Sequence, residues 1–269
     1  MGTGLPTSAG TSALSEPYPV PRGFMDMAGP MTLLHVGSEV SKLAGSSVGT
    51  DVSTDALAEL LPRDEREAMW AGTRWWEFRP DDADDSDSLL ARHKAPGHLL
   101  ERLWMVFHAV DAANGPLALP DWLPDLAVRA LEIGWDERHG GLFRYVDGDG
   151  GAPQGRIFGG DRYESLVQST WDTKLWWVHA EAMYETKLLA RRLGPVDLDV
   201  WNQKITDYTL TTFPDPAGQE WAQIRDRGGE PLDRVVALPV KNPFHIARTL
   251  LFLNRLDNDH ELRPTEPSQ

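Results

Sequence analysis

The chain contains no cysteine, which removes disulfides, thiolate metal sites and a cysteine nucleophile from consideration. It lacks any apolar run long enough to span a bilayer, and Met1 to Val20 have no basic start followed by an apolar stretch. Neither export nor anchoring is expected, and the predicted location is cytoplasmic. Positive charge is scarce: 26 basic against 41 acidic residues give a net charge of −15, which argues against nucleic acid or an anionic membrane as the main partner. A Gly-rich phosphate loop ending in Lys-Ser/Thr is missing, Gly148 to Gly151 reads as a hairpin turn, and no cofactor is expected. The acidic run Arg79 to Ser88 has no glycine for the sharp turn of a calcium loop, so it reads as a solvated loop.

What remains is a 269-residue chain with 41% apolar residues, enough for a substantial core. Residues 1–24, rich in Gly, Ser, Thr and Pro, read as an irregular arm; 25–258 form the main domain and 259–269 a tail. Apolar periodicity predicts helices over 25–43 (core positions Met31, Leu34, Val36 and Val40), 56–61, 64–78, 98–113, 121–134, 172–193, 197–212 and 245–256. Two alternating stretches, Gly141 to Gly150 and Glu220 to Gly229, read as small hairpins. Each follows a helix and an acidic turn, so a unit of paired helices plus a hairpin recurs after about eighty residues. A closed ring of helical hairpins explains that recurrence better than an ordinary bundle.

Two histidines open the most informative segments. His98 follows Pro96-Gly97 and His245 follows Pro243-Phe244, each at a predicted helix start. Three positions on stand Glu101 and Arg248, on the same helical face as their histidine. Imidazoles that converge on one cavity suit acid/base chemistry on a neutral substrate. Neither has the spacing of a metal motif, and no metal is expected. Of the eleven tryptophans, five cluster at Trp75-Trp76, Trp171 and Trp176-Trp177. Core packing accounts for most of them, but Trp177 and Glu181 lie one turn apart on one face, an aromatic wall beside a carboxylate such as a sugar ring requires. His93 reads as a loop residue; His35, His108, His139, His179 and His260 read as structural or surface.

Seven stretches together resemble the N-acylglucosamine 2-epimerase family, which also holds cellobiose 2-epimerases and mannose isomerases. In family order they are Pro30 to Leu34, Arg92 to Glu101, Gly140 to Phe143, Lys174 to Glu181, Phe213 to Asp215, Glu220-Trp221 and Phe244 to Arg248. The resemblance implies an all-α fold, an (α/α)6 barrel or six-hairpin toroid with short β-hairpins between helices. It covers the middle and C-terminal part of the family, and the first hairpins, with an early substrate-contacting arginine, have no counterpart here. Thr32 stands where cellobiose-type members place a third histidine, which points to the N-acylglucosamine-like branch. Ala222 stands where many relatives carry an aromatic residue.

The resemblance assigns roles. His98 and His245 are the two acid/base groups of an epimerisation through an enediolate on a free reducing sugar, of N-acylglucosamine/N-acylmannosamine or glucose/mannose type. Glu101 orients His98 or binds a hydroxyl, Glu181 sits near the ring oxygen or a histidine, Arg248 stabilises charge on a substrate oxygen, and Trp177 walls the sugar. The family commonly forms homodimers. Two alternatives stand beside this reading: a non-catalytic or truncated relative that acts as a sugar- or protein-binding module, and another helical-toroid enzyme such as a glycoside hydrolase. The last needs paired carboxylates across a glycosidic bond, whereas the marked positions here are histidines.

Overall fold

In the computed structural model, residues 20–44, 47–60, 68–112, 119–194, 196–215, 217, 220–232 and 244–258 are described. One pattern recurs three times along them. A short strand leads directly into a helix, a second helix packs back against the first, and a later strand returns to pair with the opening one.

In the first unit β1 (Phe24–Asp26) enters α1 (Ala28–Ala44), α2 (Ser47–Leu60) packs on α1, and β4 (Phe78–Pro80) pairs antiparallel with β1, Met25 opposite Arg79. Between α2 and β4 lies a hairpin of β2 (Trp70–Ala71) and β3 (Arg74–Trp75). After the short helix α3 (Leu89–Arg92), the second unit runs β5 (His93–Lys94), α4 (Pro96–Ala112), α5 (Leu123–Gly134) and β6 (Val146–Asp147). Beyond α6 (Arg162–Thr170), the third comprises β7 (Lys174–Leu175), α7 (Trp176–Leu193), α8 (Val196–Thr212) and β8 (Ile224–Arg225). Finally α9 (Phe244–Asn258) packs on α7. The first helices of the units lie side by side, α1 on α4, α4 on α7 and α7 on α9, with α2, α5 and α8 behind them. Each strand pair thus pins the N-terminal end of an inner helix.

The core lies between the two layers, around Leu34, Leu60, Leu99, Leu103, Trp104, Leu126, Leu131, Ala182 and Leu189. Sequence chemistry sets the helix ends. Pro96 opens α4 at its first position, where its missing N–H costs nothing. Asp161 caps α6 by accepting from the N–H groups of Tyr163 and Glu164. Gly194 ends α7 in the left-handed region at φ 75°.

Several expectations need correction. The helix predicted over 64–78 is, across 68–78, extended chain and the β2–β3 hairpin, turned at Gly72 with φ 57°. The segment is rich in apolar and aromatic residues at short intervals, yet Trp70 faces Trp75 across the hairpin, a cross-strand pairing rather than a helical face. The expected hairpins at 141–150 and 220–229 do turn back locally, at Asp147–Gly151 and with Arg225 bridged antiparallel to Pro231, but their strands also pair with the distant β5 and β7, pairings that the expected hairpins do not include. The segment 25–27 is strand and turn, so the first helix starts only at Ala28. Val36 and Val40, expected in the core, are 51% and 40% exposed. Helix α1 instead buries Leu34, Ser38 and Ser41, because α2 comes so close that a Cβ on Gly49 would lie 2.6 Å from the Gly37 carbonyl oxygen. His93 is not a loop residue: it is fully buried in β5, with Nδ1 2.8 Å from the Leu90 carbonyl oxygen. Helices α3 and α6 were not anticipated. The expected tail, His260 and most of the expected arm lie outside the described residues.

Candidate active site

The N-terminal ends of α4, α7 and α9 meet where the chain concentrates its buried charge. His98 is in the first turn of α4, and its Nδ1 lies 2.7 Å from Oε1 of Glu77, in the segment between β3 and β4. Glu77 is 4% exposed and also accepts from Nη1 and Nη2 of Arg102 at 3.3 and 3.1 Å. Burial pushes the Glu77 carboxyl up, but Arg102 and His98 outweigh it and hold the group well below the usual carboxylate range. An ionised carboxylate only accepts hydrogen bonds, so Nδ1 of His98 carries the proton and Nε2 is the basic nitrogen.

His245, in the first turn of α9, repeats the arrangement. Its Nδ1 lies 2.6 Å from Oε1 of Glu181 on α7, and Arg248 donates to the same oxygen. Glu181 is fully buried and takes a further hydrogen bond from Nε1 of Trp104 at 2.7 Å. The site therefore holds two His–Glu–Arg sets, His98–Glu77–Arg102 and His245–Glu181–Arg248. In each, Nδ1 is committed to a carboxylate, and among the described residues Nε2 has no hydrogen-bond partner. Trp177 joins them: its ring stacks on His98 at 5.1 Å and 25° and lies against His245 at 5.4 Å and 35°.

Glu101 is buried 3.8 Å from both His245 Nδ1 and Arg248 Nη2. Burial first, then the neighbouring Glu181, raises its carboxyl above the ordinary value, against the pull of His245, His98 and Arg248. Glu101, Glu181 and His245 each offer a ligand atom within 4.8 Å of the others, a geometry that can hold a metal ion. Arg248 already lies against both carboxylates, and its fixed charge occupies the position a cation would take.

All six residues singled out from the sequence, His98, His245, Glu101, Glu181, Arg248 and Trp177, thus fall in one place. The partner of His98 is Glu77 rather than Glu101, which sits with His245 and Arg248. Glu181, expected near the sugar or a histidine, is at His245 and sealed from solvent. Sequence reasoning missed Glu77 and Arg102. Arg102 carried a usable signal, four residues after His98 on one helix face; Glu77 carried none, because its segment was read as helix. His179 is structural as expected, with Nδ1 2.7 Å from the Leu175 carbonyl oxygen and Nε2 accepting from the Leu142 N–H at 2.8 Å.

Against known proteins, the chain matches the family model for N-acylglucosamine 2-epimerase (GlcNAc 2-epimerase) over residues 66–248, more than half its length. It is 28% identical over 239 residues to N-acylglucosamine 2-epimerase of Bos taurus, covering 87% of this chain and 52% of that protein. To the Rattus norvegicus protein of the same name it is 28% identical over 260 residues, covering 95% and 55%. The chain spans about half the length of the curated relatives it matches. Among solved structures, a D-mannose isomerase superposes with a TM-score of 0.66 at 15% identity, covering 87% of this chain and 57% of that one. The cellobiose 2-epimerase from Spirochaeta thermophila DSM 6192 gives 0.63 at 17%, covering 90% and 56%. These likenesses show the fold, that of the (α/α)6 barrels expected from the sequence. With the family model matched across the segments that carry both His–Glu–Arg sets, the chain belongs to the N-acylglucosamine 2-epimerase family.

Proposed function

We propose that this chain carries the catalytic centre of a sugar 2-epimerase or aldose–ketose isomerase that acts on a free reducing sugar. The observation that supports it is the pair of histidines packed on one tryptophan, each with Nδ1 held by a carboxylate and Nε2 left for substrate. With the sugar ring open, Nε2 of one histidine takes the C2 proton. The C2–H electrons form a C1–C2 double bond, and the C1 carbonyl becomes the enediolate oxygen. The second histidine, protonated at Nε2, returns a proton to C2 from the opposite face as the carbonyl re-forms, so no redox change occurs. For a sugar with a hydroxyl at C2, return of the proton to C1 instead, with O1 taking up a proton and the O2–H proton leaving as the C2 carbonyl forms, yields the ketose.

The other residues take roles around this transfer. Glu77 and Glu181 fix the tautomer and orientation of their histidines and stabilise each imidazolium as it forms. Glu101, held toward its protonated form, donates to a sugar oxygen, and Arg248 favours negative charge nearby. Trp177 walls the sugar. Thr32 and the curated relatives favour an N-acylglucosamine/N-acylmannosamine substrate over cellobiose. Proton NMR in deuterium oxide with N-acetylmannosamine, mannose and cellobiose in turn tests the reading. Deuterium at C2, with new anomeric signals, is expected and should disappear in His98→Asn and His245→Asn. No exchange with any of these sugars by the folded chain would overturn it.

A further inference from the structure

Helix α1 brings one more imidazole to the neighbourhood of the histidine pair. His35, partly buried where α1 packs on α4, meets the Trp104 ring edge-on at 5.5 Å and 82° and the Phe244 ring at 6.1 Å and 63°. Both rings also surround the His245 set. Nε1 of Trp104 donates to Glu181, Phe244 lies 5.4 Å from the His245 ring, and the Arg248 guanidinium sits 4.4 Å from the Trp104 ring and 4.1 Å from that of Phe244. His35 and Arg248 thus border the same two aromatic side chains.

The ring is directed inward, and its polar capacity is unused. The charges that act on it include Arg248 of α9 and Glu181 of α7, besides Glu39 and Lys42 of its own helix. Burial lowers its pKa below the ordinary 6.5, so at pH 7 the imidazole is neutral, with one donor and one acceptor nitrogen. Nδ1 is buried without a hydrogen-bond partner, and among the described residues Nε2, on the open edge of the ring, has none either. Expected from the sequence to be structural or surface, His35 is neither a bonded core residue nor an exposed one. Packing does not account for an imidazole here, because a phenyl ring would make the same aromatic contacts and leave no polar atom unpaired.

We infer that His35 is a further substrate-binding residue, whose Nε2 holds one hydroxyl of the sugar beside His245. The inference rests on the sugar reading above and adds to it a contact made away from the transferred proton. A hydroxyl both donates and accepts, so it satisfies Nε2 in either tautomer of the neutral ring, whereas a carboxylate suits only the tautomer that donates. In this role His35 touches neither C2 nor the enediolate oxygens. Its contact is the same before and during proton transfer, so it sets affinity and leaves the chemical step nearly unchanged.

Saturation-transfer NMR titration of the full chain with N-acetylmannosamine and, separately, mannose measures Kd without requiring turnover, and C2 exchange in deuterium oxide supplies kcat. His35→Phe, which keeps the ring contacts, should weaken binding of the better ligand about tenfold while kcat falls less than about twofold. His35→Gln, which keeps a donor and an acceptor, should stay within about threefold of the parent Kd. Circular dichroism confirms that both variants are folded. An unchanged Kd in His35→Phe, an equal loss in His35→Phe and His35→Gln, or a loss confined to kcat overturns the assignment, as does a parent chain that binds neither sugar. Binding that depends on His35 without any C2 exchange would sink the epimerase reading and leave this contact standing; exchange with binding indifferent to His35 would do the reverse.

Discussion

Nδ1 of His98 and Oε1 of Glu77 lie 2.7 Å apart, although 21 residues separate them in the chain. The same carboxylate neutralises the buried guanidinium of Arg102, so one side chain both orients an imidazole and compensates a fixed charge. The first role concerns activity and the second stability.

Glu77→Gln separates them. The amide keeps an acceptor for Nδ1 but loses the charge that stabilises an imidazolium, so C2 exchange should fall roughly 10²-fold. Arg102, left buried without its counter-charge, should cost about 3–5 kcal/mol in urea unfolding. Retained stability would show that Arg102 finds another partner, and unchanged exchange would remove Glu77 from the mechanism.

Trp177 touches both histidine rings and is one turn from Glu181. Trp177→Ala should lower kcat/KM of C2 exchange by about ten- to a hundredfold, because both a sugar wall and two ring contacts worth about 0.5–1.5 kcal/mol each are lost. Trp177→Phe should recover part of that. Equal activity in both variants would assign Trp177 to packing alone.

How much of this site was legible depended on whether its spacing was local. His98 with Glu101 and Trp177 with Glu181 sit within single helices, where a period of 3.6 fixes their relation. The recurrence of strand, helix pair and strand was half legible: 141–150 and 220–229 showed as extended segments, but their partners β5 and β7 lie outside any hairpin window. Two-residue strands carry too little alternation to declare a partner. Glu77 was hidden because its segment was read as part of a helix over 64–78, whereas Trp70, Trp75 and Phe78 stand on the short strands β2, β3 and β4. Val36 and Val40 misled for a related reason, since glycine and serine, not the valines, make the close α1–α2 contact.

Acid should destabilise the fold through His179. Its Nε2 accepts from the Leu142 N–H, so protonation would set two donors against each other inside the core. Burial lowers its pKa from 6.5 to about 3. The unfolded chain therefore binds more protons between these values, and stability is lost as pH falls below about 6.5. From pH 7 to pH 5 this group alone should account for about 2 kcal/mol in urea unfolding. His179→Gln, which keeps an acceptor and cannot titrate, should flatten that slope; an unchanged slope would place the acid sensitivity elsewhere.

Gly97, immediately before His98, marks a close approach of α4 to Val178 of α7 at the site. A Cβ there would meet Cγ2 of Val178 at 2.7 Å and Cγ1 at 2.8 Å, well inside normal contact. Because Val178 is 1% exposed and branched at Cβ, its methyls have little room to move aside. Gly97→Ala should therefore push the helices apart at the cost of about 1–3 kcal/mol in urea unfolding. It should also lower C2 exchange more than the stability loss explains, since His98 and the neighbouring Trp177 would shift relative to each other. Val178→Ala in the Gly97→Ala background removes the clashing methyls and should restore much of the exchange. If the double variant folds well but stays inactive, the remaining contact with Cβ of Val178 at 3.0 Å is enough to displace His98; if the single variant is already fully active, the close approach of α4 and α7 is not what positions His98.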